Sequence, residues 1–192
     1  MTADSVLITG SSGFIGTALA ERLLEAGYDV TGVDREQNPW STRVDDRTER
    51  LDLLADGLSD VAGAYDVIVH LAAHSRVGSS VENPSEATEN ARTTRRVLEF
   101  ARTNDVGHVL FASSREVYGL DDAVVFEEAD ATPRDCANPY AASKLFGESL
   151  CWAYANCYGL ETTALRFTNV YGRYDDQSRV VPLFVAQALA GD

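Results

Sequence analysis

The stretch that decides the fold is Ser5-Val6-Leu7-Ile8-Thr9-Gly10-Ser11-Ser12-Gly13-Phe14-Ile15-Gly16. Its first five residues are β-prone and mostly apolar, which predicts a short buried strand. The residues from Thr17 to Gly27 have the apolar periodicity of a helix, and Gly27 is placed to end that helix. Three glycines at three-residue spacing therefore lie between a strand and a helix.

This position between a strand and a helix gives the glycine motif a physical meaning. Gly10 permits the tight turn, Gly13 lets a pyrophosphate approach the backbone, and Gly16 lets the helix pack closely on the strand. The amino terminus of the helix then offers free N–H groups and a partial positive charge to phosphates. The alternative is a plain glycine-rich turn without a ligand.

Asp34 strengthens the hypothesis of a dinucleotide site. It ends a second predicted strand, residues 29–33, about 20 residues beyond the glycine loop. A carboxylate there can accept hydrogen bonds from an adenosine ribose and repel a 2′-phosphate, which favours NAD over NADP. Arg35 beside it leaves NADP open, and a turn or cap role is the alternative for Asp34.

Strands and helices alternate along the rest of the chain. Further strands are predicted near residues 50–54, 66–73, 107–112 and 161–167, and helices near 56–62, 84–103, 140–158 and 180–190. Asn138 and Pro139 have the residue types of a helix N-cap and first helical position. The alternation predicts an α/β protein with a doubly wound parallel sheet, the Rossmann fold.

Composition excludes several classes of partner. The 192 residues carry a net charge of −14, with 30 acidic and 16 basic residues, which argues against binding to nucleic acid or to an anionic membrane. Strong acidity with almost no lysine predicts adaptation to high salt, with an ordinary acidic protein as the alternative. The three cysteines and three histidines lack metal-ligand spacing, so no metal is expected. The absence of a basic amino-terminal region and of a long apolar run favours a cytoplasmic protein.

Lys144 is the only lysine among the 16 basic residues. Tyr140 lies four residues earlier, so both side chains share one face of the predicted helix. A nearby cation favours the phenolate form of a tyrosine, which makes Tyr140 a candidate base. Such a base could take a proton from a sugar or alcohol hydroxyl. Ser114, at the end of a predicted strand, could hydrogen-bond the oxygen of that hydroxyl. His70 is expected to be a packed structural histidine rather than a base.

Taken together, these residues resemble the extended short-chain dehydrogenase/reductase family, in its nucleotide-sugar epimerase/dehydratase branch. The resemblance covers nearly the whole chain. The matching motifs are Gly10-x-x-Gly13-x-x-Gly16, Asp34, Asp52-Leu53, His70-Leu71-Ala72-Ala73, Ser113-Ser114-x-x-Val117-Tyr118-Gly119, Pro139-Tyr140-x-x-Ser143-Lys144 and Arg166-x-x-Asn169-Val170-Tyr171-Gly172.

The resemblance implies a role for each matching position. Tyr140 is the implied base, Lys144 its electrostatic partner, and Ser114 the third catalytic residue. Substrate contacts are implied for Ser114, Tyr140 and Asn169. The implied NAD-binding positions are Gly10, Gly13, Phe14, Ile15, Gly16, Asp34, Asp52, Leu53, Leu71, Ala72, Ala73, Asn90, Tyr140 and Lys144. A homodimer through the two long helices is also implied.

The activity expected from this resemblance is that of an NAD-dependent nucleotide-sugar 4-epimerase, similar to UDP-glucose 4-epimerase. Tyr140 would remove the 4-OH proton while NAD takes the C4 hydride, and the hydride would return to the other face of a 4-keto sugar. Glu116 matches a glutamate of related decarboxylases and 4,6-dehydratases, which remain alternatives, although Arg115 replaces the aspartate of the dehydratases.

The expected organisation is an NAD-binding domain over residues 1–179. Residues 180–192 would begin a substrate-binding region, most of which this chain does not include. A non-catalytic NAD-binding module is therefore a further alternative.

Overall fold

The computed structural model describes residues 4–119, 125–175 and 179–191, and within them one sheet of six strands. The strands are β1 (Ser5–Thr9), β2 (Asp29–Asp34), β3 (Thr48–Arg50), β4 (Val67–His70), β5 (His108–Ser114) and β6 (Glu161–Phe167). Their order is β3-β2-β1-β4-β5-β6, and every neighbouring pair is parallel. The predicted fold class is confirmed.

The helices are α1 (Phe14–Glu25), α2 (Thr42–Asp45), α3 (Val77–Glu82), α4 (Ser85–Thr103), α5 (Pro139–Tyr158) and α6 (Val180–Ala190). Short 3₁₀ helices span Arg115–Tyr118 and Glu128–Asp130. Among the residues that the structure describes, no helix combines the length and the apolar character needed to cross a membrane.

The helices cover both faces of the sheet because both faces of the central strands are apolar. Leu7 of β1 lies in one core cluster with Val97 of α4, whereas Val6 and Ile8 lie in the other with Ala20 of α1. Successive residues of a strand point to opposite faces, so this run of consecutive apolar residues supplies both clusters.

The topology places a crevice at the carboxyl edge of the sheet. β1 pairs with β2 on one side and with β4 on the other, so the chain leaves β1 in one direction and later returns past it. Loops that follow β1 and β4 therefore diverge at this point, which is where open α/β sheets bind ligands.

Several boundaries differ from the sequence-based predictions. Helix α1 begins at Phe14, three residues earlier than predicted, β3 ends at Arg50, and residues 56–62 form turns rather than a helix. Leu53, Leu58 and Val61 are apolar because they fill the core from these turns, not because they lie in regular elements. Helix α3 was not predicted.

The start of α5 matches the prediction. Asn138 is the N-cap, and its Oδ1 accepts a hydrogen bond of 2.8 Å from the backbone N–H of Ala141. Pro139 is the first helical residue, and Gly159 ends the helix at φ 71°. This cap fixes the start of α5, whose first turn carries Tyr140 and whose second turn carries Lys144.

Helix α6 differs from the other long helices because none of its described residues is buried. Phe184 is 63% exposed and Leu189 is 85% exposed. The predicted domain boundary after residue 179 stays a prediction.

Candidate active site

A cleft of about 620 Å³ opens at the carboxyl edge of the sheet. It runs from the glycine loop, past the segment that follows β4, to the first turn of α5. Every site residue predicted from the sequence lines this cleft: Gly10, Gly13, Phe14, Ile15, Gly16, Asp34, Asp52, Leu53, Leu71, Ala72, Ala73, Asn90, Ser114, Tyr140, Lys144 and Asn169.

Two glycines of the loop have no room for a side chain. A Cβ on Gly16 would lie 2.0 Å from the carbonyl oxygen of Gly10, so the helix could not start this close to the strand. A Cβ on Gly10 would lie 2.8 Å from the backbone nitrogen of Ala72, and Gly10 has a φ of 78°. Gly10 therefore allows the turn and Gly16 the close packing of the helix, whereas the approach of a pyrophosphate to Gly13 stays a prediction.

The amino terminus of α1 fits a pyrophosphate. Its first N–H groups, on Phe14, Ile15 and Gly16, have no acceptor inside the helix and lie in the wall of the cleft. The hydroxyl of Ser12 is buried in this loop and has no hydrogen-bond partner among the described residues. A phosphate oxygen would give both kinds of donor an acceptor.

Asp34 joins the end of β2 to the glycine loop. Its Oδ2 accepts from the backbone N–H of Ser12 at 3.0 Å, and its Oδ1 accepts from the N–H of Glu36 at 2.9 Å. Carboxylate oxygens each have a second lone pair, so the side chain can still accept from a ribose. Asp34 therefore also acts as a turn residue, the alternative considered from the sequence. Arg35 and Glu36, whose charged groups are 3.8 Å apart, line the same end.

The segment after β4 is held in place by Asn90 of α4. The Asn90 Oδ1 accepts from the backbone N–H of His74 at 2.8 Å, and its Nδ2 donates to the His74 carbonyl at 3.1 Å. The same Nδ2 donates to Ser143 of α5 at 3.3 Å. Asn90 thus fixes the cleft wall formed by Leu71, Ala72 and Ala73. Both the oxygen and the nitrogen of its side-chain amide form hydrogen bonds within the protein.

Lys144 is buried against the end of β5. Its Nζ donates to the carbonyl oxygen of Ala112 at 2.8 Å and lies 5.6 Å from the centre of the Tyr140 ring. The ammonium also lies 5.2 Å from the centre of the Phe111 ring. Burial disfavours the charged form and lowers the pKa of Lys144 to about 8.

Tyr140 has a raised pKa, whereas the sequence predicted that a nearby cation would favour its phenolate. Burial is the largest cause, and it outweighs the effect of the Ser114 hydroxyl, which lowers the pKa of Tyr140. The carboxylate of Glu116 raises the same pKa and the guanidinium of Arg179 lowers it. The prediction considered the charge of Lys144 but not the loss of water around the phenol.

His70 is a structural histidine, as predicted. Its Nδ1 lies 2.7 Å from the hydroxyl of Thr9, and its Nε2 lies 3.3 Å from that of Thr94. Complete burial lowers the pKa of His70 to about 3, so the ring is neutral at ordinary pH.

Glu116 forms an ion pair and also lies beside the candidate base. Its carboxylate forms an ion pair with Arg115 at 3.6 Å and accepts from the side-chain amide of Asn138 at 3.3 Å. It also lines the cleft and acts on the pKa of Tyr140. An ion pair and a position beside the candidate base are therefore compatible.

Sequence reasoning missed Arg179 and Ser12. Arg179 precedes α6, lines the cleft, and places its guanidinium 5.7 Å from the centre of the Phe14 ring. Its Nε lies 3.2 Å from a carboxylate oxygen of Asp175. No local pattern indicated Arg179, because the contact joins residues more than 160 positions apart. Ser12 lies inside the glycine motif, so that motif was its signal.

Both the sequence and the fold of this chain match known proteins. Residues 6–192 match the family described as the NAD dependent epimerase/dehydratase family. The chain belongs to this family. The resemblance drawn from the motifs is confirmed, and NAD is the cofactor that the glycine loop and Asp34 fit.

Relatives within the NAD-dependent epimerase/dehydratase family differ in the activities they are named for. A UDP-glucose 4-epimerase of Corynebacterium glutamicum is 34% identical over 197 residues, which covers 95% of this chain and 58% of the relative. A UDP-N-acetylglucosamine 4-epimerase structure from Methanobrevibacter ruminantium has a TM-score of 0.89 at 28% identity, covering 100% of this chain and 64% of that one.

A dTDP-glucose 4,6-dehydratase structure from Streptomyces venezuelae, with NAD bound, has a TM-score of 0.83 at 31% identity. The match covers 97% of this chain and 62% of the dehydratase. The chain thus spans about 60% of the length of the relatives that it matches.

Proposed function

We propose that this chain is the NAD-binding and catalytic part of a nucleotide-sugar 4-epimerase. The observation that carries the proposal is the meeting of Ser114, Tyr140 and Lys144 in one wall of a cleft whose opposite end is the glycine loop. Two of the relatives described above are named as 4-epimerases, which supports this choice within the family.

In the proposed reaction Tyr140 takes the proton of the sugar 4-OH and later returns it. Ser114 lines the same wall of the cleft as Tyr140 and is placed to hold the same sugar oxygen as its carbon changes between alcohol and ketone. General acid–base catalysis of this kind contributes about 10²–10⁴-fold. NAD, when bound, supplies the hydride acceptor at C4 and brings a positive nicotinamide charge to this wall.

Lys144 helps to make Tyr140 usable as a base. Its ammonium lies in a site from which water is excluded, so its charge acts on the phenol with little screening. Its hydrogen bond to Ala112 holds the side chain in one position. Burial raises the pKa of Tyr140, and Ser114 and the guanidinium of Arg179 lower it. We expect the ammonium of Lys144, 5.6 Å from the centre of the ring, to act in the same direction as these two groups.

A panel of substrates tests the proposal. We expect the protein with NAD to convert UDP-glucose to its 4-epimer, as measured by NMR of the products, and Tyr140→Phe to slow this conversion by about 10²–10⁴-fold. UDP-glucuronate and dTDP-glucose should yield neither carbon dioxide nor a stable 4-keto product. Formation of either product, without epimerisation of any sugar in the panel, contradicts the proposal.

A decarboxylase or a 4,6-dehydratase is the second candidate, because Glu116 lies beside Tyr140 in the cleft. A carboxylate there is placed to take a proton from a sugar carbon next to C4. Glu116→Gln separates the candidates: it should leave epimerisation largely intact but abolish dehydration. A third candidate is a non-catalytic NAD-binding module, for which calorimetry should detect NAD binding but no nucleotide-sugar binding.

The proposal includes a nucleotide-sugar substrate that contacts Asn169, a homodimer and the cytoplasmic location expected from the sequence. Asn169 follows β6 at the mouth of the cleft. Exposed aromatic side chains on α5, Phe146 at 49% and Trp152 at 72%, support an interface that uses the long helices. Light scattering of the wild type and of Trp152→Asp tests the dimer: an unchanged mass for the variant contradicts an interface at this face.

A further inference from the structure

An ion pair lies behind the candidate catalytic wall, between β6 and α5. Arg166 donates to both carboxylate oxygens of Glu148, from Nε to Oε1 at 2.9 Å and from Nη2 to Oε2 at 2.7 Å. The two side chains are only 18% and 13% exposed. The ion pair raises the pKa of Arg166, so its charge is permanent.

Arg166 makes two further contacts with the remainder of its guanidinium. Its Nη1 donates to the carbonyl oxygen of Glu128 at 2.7 Å, and its Cζ lies 4.8 Å from the centre of the Tyr118 ring. Tyr118 in turn stacks on Phe126 with ring centres 5.0 Å apart. Arg166 therefore joins β6 to α5 and to the segment that follows β5.

Glu148 connects this ion pair to the catalytic residues. It follows Lys144 by four residues and Tyr140 by eight, so all three lie along one face of α5. A short hydrogen bond links its Oε1 to the hydroxyl of Ser113, the residue before Ser114. The pair thus fastens α5 to the strand end from which Ser114 projects.

Geometry, rather than stability, explains an ion pair in this position. The desolvation of two charges usually cancels much of their attraction, so a pair this far from water adds little net stability. A bidentate arginine–carboxylate pair does fix distance and orientation, and a lysine cannot reproduce its planar fork. Arg166 makes four such contacts: three through N–H groups of its guanidinium and one between the face of the guanidinium and the Tyr118 ring.

We propose that Arg166, acting through Glu148, is a positioning residue that sets the position of Tyr140 on α5 relative to Ser114 at the end of β5. This proposal rests on the proposed function for its effect on rate. The ion pair and the bond to Ser113 hold α5 in one orientation against the ends of β5 and β6. When the pair is lost, Tyr140 moves relative to Ser114, whose interaction with the phenol lowers the pKa of Tyr140.

Arg166→Lys and Glu148→Gln test the proposal, because each keeps the size of the side chain but removes the charged fork. We expect kcat to fall about 10²-fold, the cost typical of a small misplacement of a catalytic group. The dissociation constant for NAD should change less than about twofold, since the glycine loop and Asp34 lie at the other end of the cleft. Arg102→Lys is the matched control, because Arg102 forms a bidentate pair with Glu99 on α4, away from the cleft.

Direct titration of Tyr140 provides a readout that does not depend on turnover. Tyrosinate absorbance is measured against pH, and the same curve for Tyr140→Phe is subtracted to isolate this residue among the eight tyrosines. Arg166→Lys and Glu148→Gln should move the Tyr140 titration to higher pH, whereas Arg102→Lys should not. The acid limb of the kcat profile should move in the same direction.

Two outcomes would overturn the positioning role. The first is an unchanged Tyr140 titration in both variants, whatever happens to the rate. The second is a parallel loss of NAD affinity and of urea-unfolding free energy that accounts for the whole change in rate, which indicates a purely structural pair. If the wild type converts no nucleotide sugar, the proposed function fails, while the titration still decides the positioning role.

Discussion

The two halves of the cleft are built on different principles. The cofactor half, around β1 and β2, is made of backbone and small residues, and Gly10 and Gly16 have no room for a Cβ. The catalytic half, around β5 and α5, depends on long polar side chains that are partly or fully withdrawn from water, such as Lys144, Glu148 and Arg166. The cofactor half is suited to bind phosphates through its shape and its backbone N–H groups. The catalytic half instead places charged side chains where water screens their interactions only weakly.

This difference predicts that variants in the catalytic half lose rate and keep NAD, with Tyr140→Phe as the largest effect. Removal of the phenolic hydroxyl should lower turnover by about 10²–10⁴-fold, the typical contribution of a general base. Calorimetry should find the NAD dissociation constant changed by less than about threefold, or under 0.7 kcal/mol. Tyr171→Phe, which alters a tyrosine that is 66% exposed, is the control. Near-normal turnover of Tyr140→Phe would refute the assignment of the base.

The reverse behaviour is expected of Gly16→Ala in the cofactor half. The new Cβ would meet the Gly10 carbonyl at 2.0 Å, so the loop must shift. Such overpacking costs about 1–3 kcal/mol of unfolding free energy and should weaken NAD binding at least about tenfold. Gly78→Ala in α3 is the matched control, because its Cβ would meet nothing within 4 Å. Equal effects of the two alanines on NAD binding would argue against the close approach at Gly16.

Lys144→Met should lower turnover by less than Tyr140→Phe does while making the protein more stable. The pKa of Lys144 falls from 10.5 to about 8, which corresponds to about 3 kcal/mol of buried-charge cost, and loss of the Ala112 hydrogen bond offsets about 1 kcal/mol. A gain of about 2 kcal/mol is expected in urea unfolding at pH 7.

The pH dependence of this gain has a definite sign. The unfolded wild type binds more protons than the folded one between pH 8 and 10.5, so its stability rises over that range. The advantage of Lys144→Met should therefore be complete below pH 8 and disappear toward pH 10.5. A variant that is less stable than the wild type at pH 7 would contradict the cost assigned to the buried ammonium.

Asp34→Asn should have a smaller effect than Tyr140→Phe, Gly16→Ala or Lys144→Met. The amide keeps the shape of the carboxylate but removes its charge and one acceptor, so NAD affinity should fall about tenfold. Discrimination against NADP should fall as well, since the repulsion of a 2′-phosphate is lost. Asp29→Asn, at the other end of β2, should change neither affinity. Unaltered NAD binding by Asp34→Asn would leave Asp34 only its role in the turn.

The fold was predictable to a large extent because its signals are local. The buried strand β1 reads as a short apolar run and the more exposed β6 as a β-prone one, and Asn138, Pro139 and Gly159 marked the ends of α5. The failures occurred where apolar residues fill the core from irregular segments, as Leu58 and Val61 do. Hydrophobic patterns report burial, and burial does not require a regular element.

By itself the sequence determined most of the residues that meet at the cleft, although not Ser12 or Arg179, since the ends of parallel strands gather at one edge of the sheet. Only the tertiary structure decided the electrostatics there. The raised pKa of Tyr140, the lowered pKa of Lys144 and the pair of Arg166 with Glu148 depend on which groups lose water and which charges face one another across elements. The glycine loop carries its information in consecutive residues, whereas the balance around Tyr140 arises from β5, α5 and the residues before α6, which meet only in the folded chain.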